Sequence, residues 1–222
     1  MDFTYILENY HQFIDAFWLT LRIGALGIFL SFLLGLFCAG FRAVPVLGLL
    51  IRAYIELSRN TPLLIQIIFL YYALPKAGIS LSAEVCGVLG LAFLGGGYMC
   101  EAFGSGLSSV EKIQRESALS LGLSNTQAFF YVILPQALSV SVPAFLANVV
   151  FLLKETSVFS AIALADLMYV AKDQIGIDYM INESLFMLVV AYLLLLAPIL
   201  ALGFYLEKRL RFAGYGNEYF IC

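Results

Sequence analysis

Long apolar runs alternate with short polar breaks along the whole chain. Phe17 to Phe41 carries one charge, Arg22, close enough to its start for the side chain to snorkel, and Arg42 and Pro45 close it. Val46 to Leu74 is apolar but interrupted by Arg52, Glu56, Arg59 and Thr61-Pro62. The spacing predicts one kinked helix there, with Glu56 and Arg59 neutralising each other three residues apart and Pro62 bending it. Val85 to Leu107 is glycine-rich, and its small residues predict a central helix, since they let backbones approach closely in a bilayer. A fourth run from Leu138 reaches Lys154-Glu155-Thr156-Ser157 and resumes to about residue 160. The fifth, Leu185 to Leu206, contains Pro198 and stops at Glu207-Lys208-Arg209. A transmembrane helix needs about 20 apolar residues. The pattern therefore predicts an all-α integral membrane bundle of about five spans (17–41, 47–74, 85–107, 138–160 and 185–206), with residues 1–222 forming a single domain.

Composition sharpens this. Of the 222 residues, 62% are hydrophobic and 12% charged, with mean hydropathy +0.95. A soluble domain carries about 45–50% apolar and about 25% charged residues, so a water-soluble enzyme is excluded. A membrane β-barrel would alternate apolar and polar positions in segments of about ten residues, unlike these unbroken runs. The net charge of −3 comes without basic clusters, which excludes nucleic acid as a partner. Cys38, Cys86, Cys100 and Cys222 form no C-x-x-C and read as small apolar packers rather than a disulfide frame or metal site. Nothing suggests a cofactor or a catalytic constellation, and the lone His11 cannot anchor one. Met1 to Gln12 lacks the basic-then-apolar order of a signal peptide. Five spans place the termini on opposite sides, and Lys and Arg in short loops mark the cytoplasm. With the N-terminus outside, Arg42, Arg52, Lys112, Arg115, Lys208, Arg209 and Arg211 are cytoplasmic, against Lys76 and Lys172 outside. The C-terminus and the polar stretch Ser108 to Gln127 are then cytoplasmic too.

That stretch has its own local logic. Glu116 to Leu121 favours helix, and Gly122 is a left-handed stop. Ser124-Asn125-Thr126-Gln127 has the spacing of a capping box, and a second short helix from Asn125 ends at Pro135. The prediction is a stiff cytoplasmic helix–turn–helix over about 111–135, its tip exposing Leu119, Leu121 and Leu123. Exposed apolar residues on a rigid knob suit docking by another protein.

Glu116-Ser117-Ala118, Gly122 and Ile133-Leu134-Pro135 resemble the EAA loop of ABC-importer permeases. Arg59-Asn60-Thr61-Pro62-Leu63-Leu64-Ile65-Gln66 resembles the Arg-Gly-Thr-Pro-Leu-Leu-Val-Gln stretch of the polar amino-acid subfamily, the histidine/glutamine/arginine permeases. Tyr98 and Glu101 fit its Tyr-x-x-Glu, and Pro135-Gln136-Ala137, Pro143, Asn148 and Leu153-Lys154-Glu155-Thr156-Ser157 follow in register. Gly104 and Ser139 stand where relatives have arginine, Ile113 where they have glycine, and Ser117 where they have alanine.

The resemblance implies the permease subunit of an importer in the bacterial inner membrane, without an ATPase site of its own; the chain has no G-x-x-x-x-G-K-[ST] motif. Its implied partners are two ATPase subunits, a second permease (a copy or a similar chain) and an extracytoplasmic binding protein that delivers an amino acid, glutamine-like by preference. Coupling to the ATPases would fall to Glu116, Ser117, Ala118, Leu119, Gly122 and Leu123. Polar groups inside apolar runs are costly unless paired or wet, so Asn148, Lys154, Glu155, Glu56 and Glu101 are the candidates for the substrate pathway. The alternative is a secondary amino-acid transporter driven by an ion gradient, which would show inverted repeats.

Overall fold

The structure, a computed structural model, describes residues 1–210, and all regular elements among them are helical. Arg211 and Cys222, which entered the charge and cysteine readings, lie outside the described residues. The helices are α1 (Phe3–Phe41), α2 (Pro45–Asn60), α3 (Leu63–Ile68), α4 (Ala83–Ser109), α5 (Lys112–Ser120), α6 (Asn125–Ala128), α7 (Leu134–Glu155), α8 (Leu167–Asp178) and α9 (Ile181–Leu210). A π turn (Phe69–Ala73) and a 3₁₀ turn (Leu74–Ala77) extend α3, a π turn (Phe129–Ile133) joins α6 to α7, and a 3₁₀ segment (Thr156–Ile162) extends α7. Among the described residues, four helical stretches are long and apolar enough to span a bilayer: Phe3–Phe41, Ala83–Ser109, Asn125–Ile162 and Ile181–Arg209.

The predicted second span is not one kinked helix. Thr61 and Pro62 are both extended, with ψ of 131° and 139°, because the proline ring disfavours helical geometry in the residue before it. Side chains satisfy the carbonyls this break releases. Gln66 Nε2 donates to the Ser58 and Thr61 carbonyls at 3.1 Å each, and Thr61 Oγ1 donates to the Leu57 carbonyl at 2.7 Å. In a bilayer such internal replacement is what allows a broken helix to persist.

Helix direction follows from paired contacts. Arg22 meets Glu84 at 2.7 Å, Ser31 Oγ donates to the Leu91 carbonyl, and Arg42 meets Glu101 at 3.0 Å. Partner numbers rise together, so α1 and α4 are parallel, and residues 45–77 must return the chain to its starting side. Against α7 the numbers run oppositely. Asn148 Nδ2 donates to the Tyr98 carbonyl at 3.2 Å, and Ser141 Oγ to the Ala102 carbonyl at 3.2 Å. α9 runs with α1: the Asp2 backbone N–H donates to Glu183 at 2.8 Å, and Phe13 and Ala16 share a buried cluster with Met187 and Ala191.

α4 is the spine, as its glycines predicted. A Cβ at Gly95 would run into Ser31 Oγ and stand 2.7 Å from Leu152 Cδ1; one at Gly106 would stand 2.6 Å from the Ala137 carbonyl oxygen. Reciprocally, a Cβ on Gly27 of α1 would stand 2.6 Å from Leu91. Lipid is as apolar as leucine, so contact area between helices comes from such close approach rather than from the hydrophobic effect.

Two boundaries differ from the sequence reading. The first helix begins at Phe3 rather than near Phe17. Asp2 caps it by accepting from the Thr4 N–H at 2.9 Å, and Tyr5 Oη donates to Asp178 at 2.5 Å, which gives the first turns a partner in α8. Pro135 does not end the second hairpin helix; the chain runs helically through it. The π turn just before it, in which the Leu134 N–H reaches back to the Phe129 carbonyl, widens the helix where the proline ring would clash and its N–H is missing.

Glycine substitutions separate close contact from helix propensity. Gly106→Ala should lower the thermal midpoint of the detergent-solubilised protein, by about 1–3 kcal/mol of overpacking, because the methyl would run into Ser141 Oγ and the backbone oxygen of Ala137. Gly40→Ala meets nothing within 4 Å and should raise it slightly, by up to about 1 kcal/mol of helix propensity. Equal midpoints for the two variants would contradict the packing described.

Candidate functional site

Two sites stand out, both attached to α4. The first is the hairpin after its C-terminus. α5 ends at Ser120 with Leu121 as its C-cap, and Gly122 takes φ +86°, a left-handed conformation that strains any residue with a Cβ. The Gly122 N–H donates to the Leu119 carbonyl at 3.0 Å and the Leu123 N–H to the Ala118 carbonyl at 3.2 Å, the bond pair of a Schellman stop. Ser124 then opens α6 with a complete capping box: Gln127 N–H to Ser124 Oγ at 3.3 Å, and Ser124 N–H to Gln127 Oε1 at 2.9 Å. Arg115 ties the arms by donating to Asn125 Oδ1 at 2.8 Å. Ala118 and Ala128 are buried between them.

The hairpin therefore presents a defined surface. Glu116 and Ser117 are exposed and Leu121 is 84% exposed. Leu119 and Leu123 are half-buried, so the tip offers one bare leucine rather than the three predicted. Ile113, Phe130 and Tyr131 add exposed apolar surface nearby.

The second site is a polar cleft of about 280 Å³ lined by Ile55, Glu56, Arg59, Asn60 and Tyr98. Glu101 lies beside it and bridges two guanidinium groups, Arg42 at 3.0 Å and Arg59 at 3.8 Å. Arg59 also stands over the Tyr98 ring, 5.1 Å from its centroid. The predicted Glu56–Arg59 pair is absent. Asn60, one full turn from Glu56, holds its carboxylate at 2.9 Å, while Arg59 turns towards α4. The cleft thus displays one cation and one anion that do not pair with each other, Arg59 being held by Glu101 and Glu56 by Asn60.

The predicted pathway residues divide. Glu56 and Glu101 meet at this cleft, and Asn148 joins it from behind through the Tyr98 carbonyl, stapling α7 to α4. Glu155, half-buried, lies two turns from Asn148 (about 10 Å) on nearly the same face. Lys154 points elsewhere: it lines an apolar cleft of about 360 Å³ between α7 and α9, with Pro143, Ala147, Val150 and Gly203 among its walls. Arg42 and Asn60 belong to the polar site although nothing in the sequence marked them for it. A Cβ at Gly104 would stand 3.4 Å from Arg42 Nη1, so the space beside this glycine is taken by an arginine from the end of α1.

Comparison with known proteins places these features. The family of binding-protein-dependent transport system inner membrane components matches residues 31–212. The chain is 39% identical over 176 residues to the probable glutamine ABC transporter permease protein GlnP of Bacillus subtilis, covering 78% of this chain and 81% of that protein. It is 33% identical to the probable glutamine permease GlnM of the same organism, over 95% of this chain and 98% of that one. A crystal structure of an amino acid ABC transporter with histidines superposes with TM-score 0.88 at 30% identity, over 94% of this chain and 99% of that one. The MetNI methionine transporter shares the fold, with TM-score 0.73 at 18% identity over 90% of this chain and 97% of that one.

Removing the cap tests the hairpin's stiffness. Ser124→Ala should cost about 1 kcal/mol and speed hydrogen exchange at the Gln127 and Ala128 amides about fivefold, leaving α4 unchanged. Unaltered exchange there would show that the box does not hold the turn.

Proposed function

The chain belongs to the binding-protein-dependent transport system inner membrane component family, and from that premise we propose how its two sites divide the work of import. It is the permease subunit of an amino-acid ABC importer, a multi-pass inner-membrane protein that works with ATPase and substrate-binding partners. An ion-gradient carrier is set aside by these relationships. ATP hydrolysis falls to the partner subunits.

The hairpin is the coupling element, with the N-terminus outside and the hairpin and C-terminus in the cytoplasm. The observation that carries this reading is the double lock at its turn, a left-handed glycine stop followed by a complete capping box. A lever transmits displacement only if it does not bend, and both arms lead into long helices. Glu116, Ser117, Ala118, Leu119, Gly122 and Leu123 form the element that two ATPase subunits move, one for each permease of a dimer. Closure of the ATPases shifts α4 and α7 as rigid bodies and exposes the pathway to alternate sides.

The pathway runs past the polar cleft. An α-amino acid carries one positive and one negative group at neutral pH, and the separated Glu56 and Arg59 charges complement both. Glu101, Asn148 and Glu155 continue the polar track along α4 and α7, whereas Lys154 lies off it. Two glutamine permeases among the relatives and the balanced charge of the cleft favour glutamine as cargo, with selection between amino acids made by the binding protein.

Uptake of labelled glutamine into proteoliposomes holding the permease, its ATPase and its binding protein tests both sites. Glu116→Lys and Gly122→Pro should abolish uptake and the binding-protein stimulation of ATP hydrolysis while the protein still inserts. Arg59→Gln and Glu56→Gln should each lower uptake at least tenfold. Normal uptake in the first pair removes the lever, and in the second pair it removes the cleft from the pathway.

A further inference from the structure

On the face opposite the hairpin, where the 3₁₀ segment leaves α7 and α8 begins, lies a buried carboxylate that the transport reading does not use. Asp166 is 0% exposed. Its Oδ1 accepts from the Tyr169 N–H at 2.9 Å and caps α8, while its Oδ2 is buried without a hydrogen-bond partner. The Tyr192 hydroxyl, from α9, is likewise buried and without a partner. Thr20 of α1 and Thr156 of the 3₁₀ segment, both fully buried, complete the surroundings; Thr20 Oγ1 accepts from the Leu167 N–H at 3.3 Å. Just before it the chain makes a strained turn, with Ala163 at φ 54°.

Four elements therefore close on one acidic oxygen that nothing neutralises. Among the described residues no cationic group forms an ion pair with it, although Lys172 acts on it from a distance. Lys172 on α8 is exposed, as are Asp15 and Arg22 on α1; Glu155 before the 3₁₀ segment is half-buried, and Glu183 begins α9 two turns from Tyr192. An ionised carboxylate buried without a cation is expensive. A protonated one turns the orphaned Oδ2 into a donor, and one water can carry its hydrogen bond to the tyrosine oxygen, which is itself without a partner.

We propose that Asp166 is a proton-binding site that locks the joint between α7, α8 and α9: with the proton bound the joint is packed as described, and its loss loosens the start of α8. The protonation range supports this. Burial raises the Asp166 carboxyl from its ordinary 3.8 to about 7, against the lowering effects of its backbone hydrogen bonds and Lys172. Between these values the packed state keeps a proton that the opened, hydrated state gives up, so stability of the joint falls as pH rises through this window and is lowest above about 7. This inference is independent of the importer reading.

Infrared spectroscopy and hydrogen exchange on the full chain in nanodiscs test it. A protonated-carboxyl band should be present at pH 6, disappear with a midpoint near 7, and be missing in Asp166→Asn, whose asparagine still caps the helix. Protection of the Val170 and Ala171 amides, corrected for intrinsic exchange, should fall about tenfold from pH 6 to pH 8 in the natural chain and stay level in Asp166→Asn. Tyr192→Phe, which removes the acceptor for the acid's proton, should move the band's midpoint to lower pH. A carboxyl already ionised at pH 6, or α8 protection that ignores pH, overturns the proposal.

Discussion

The nearness of α4 to its neighbours is the constraint from which the rest of the molecule follows. Its glycines let Ser31, Leu152 and Ser141 come within contact of its backbone, and at Gly106 the opposing atom is itself a backbone oxygen. Contacts of this kind have little freedom to slide, because the bulk that would fill an altered spacing is missing. α4 also supports both functional sites. The hairpin grows from its end, and Tyr98 and Glu101 form one flank of the polar cleft. A displacement at the hairpin therefore reaches the cleft through a single stiff helix, over roughly three turns.

On the proposed division of labour, this arrangement lets a permease subunit take part in a cycle driven by ATPase partners. Work must enter by contact and leave as a change of access. The hairpin is held where the proposed lever would receive force, through hydrogen bonds that satisfy both helix ends at the turn. The opposite side of the bundle is assembled differently. The segment 45–77 is broken at Thr61–Pro62 and ends in π and 3₁₀ turns, α7 runs on into a 3₁₀ segment, and α8 begins from a strained corner. Interrupted helices and a joint closed on an unpaired acid suit the part of a transporter that rearranges.

Much of this was legible from residue order. The all-helical membrane class followed from apolar runs long enough to span, and the central place of α4 from its glycines. Gly122 and the Ser124–Gln127 box were readable because both depend on backbone geometry within a few residues. What escaped depended on distant partners. Arg59 was expected to pair with Glu56 on its own helix, but Tyr98 and Glu101, some forty residues on, draw it away. Arg42 read as a cytoplasmic anchor, and its contact with Glu101 has no local signature. Pro135 looked like a stop because its ring clashes with a regular α turn, and the π turn that accommodates it has no signature in residue order. Leu119 and Leu123 sit among exposed neighbours, and only the folded hairpin shows that they are half-buried while Leu121 is bare.

The sidedness and contact of Leu121 test the account most directly. With Cys222 replaced by serine and the other three cysteines buried, Leu121→Cys would be probed with a membrane-impermeant maleimide. The account expects no labelling from outside intact cells, ready labelling in inside-out vesicles, and protection there once the ATPase subunits are added. Labelling from the cell exterior, or labelling in vesicles that the ATPase leaves untouched, would contradict it.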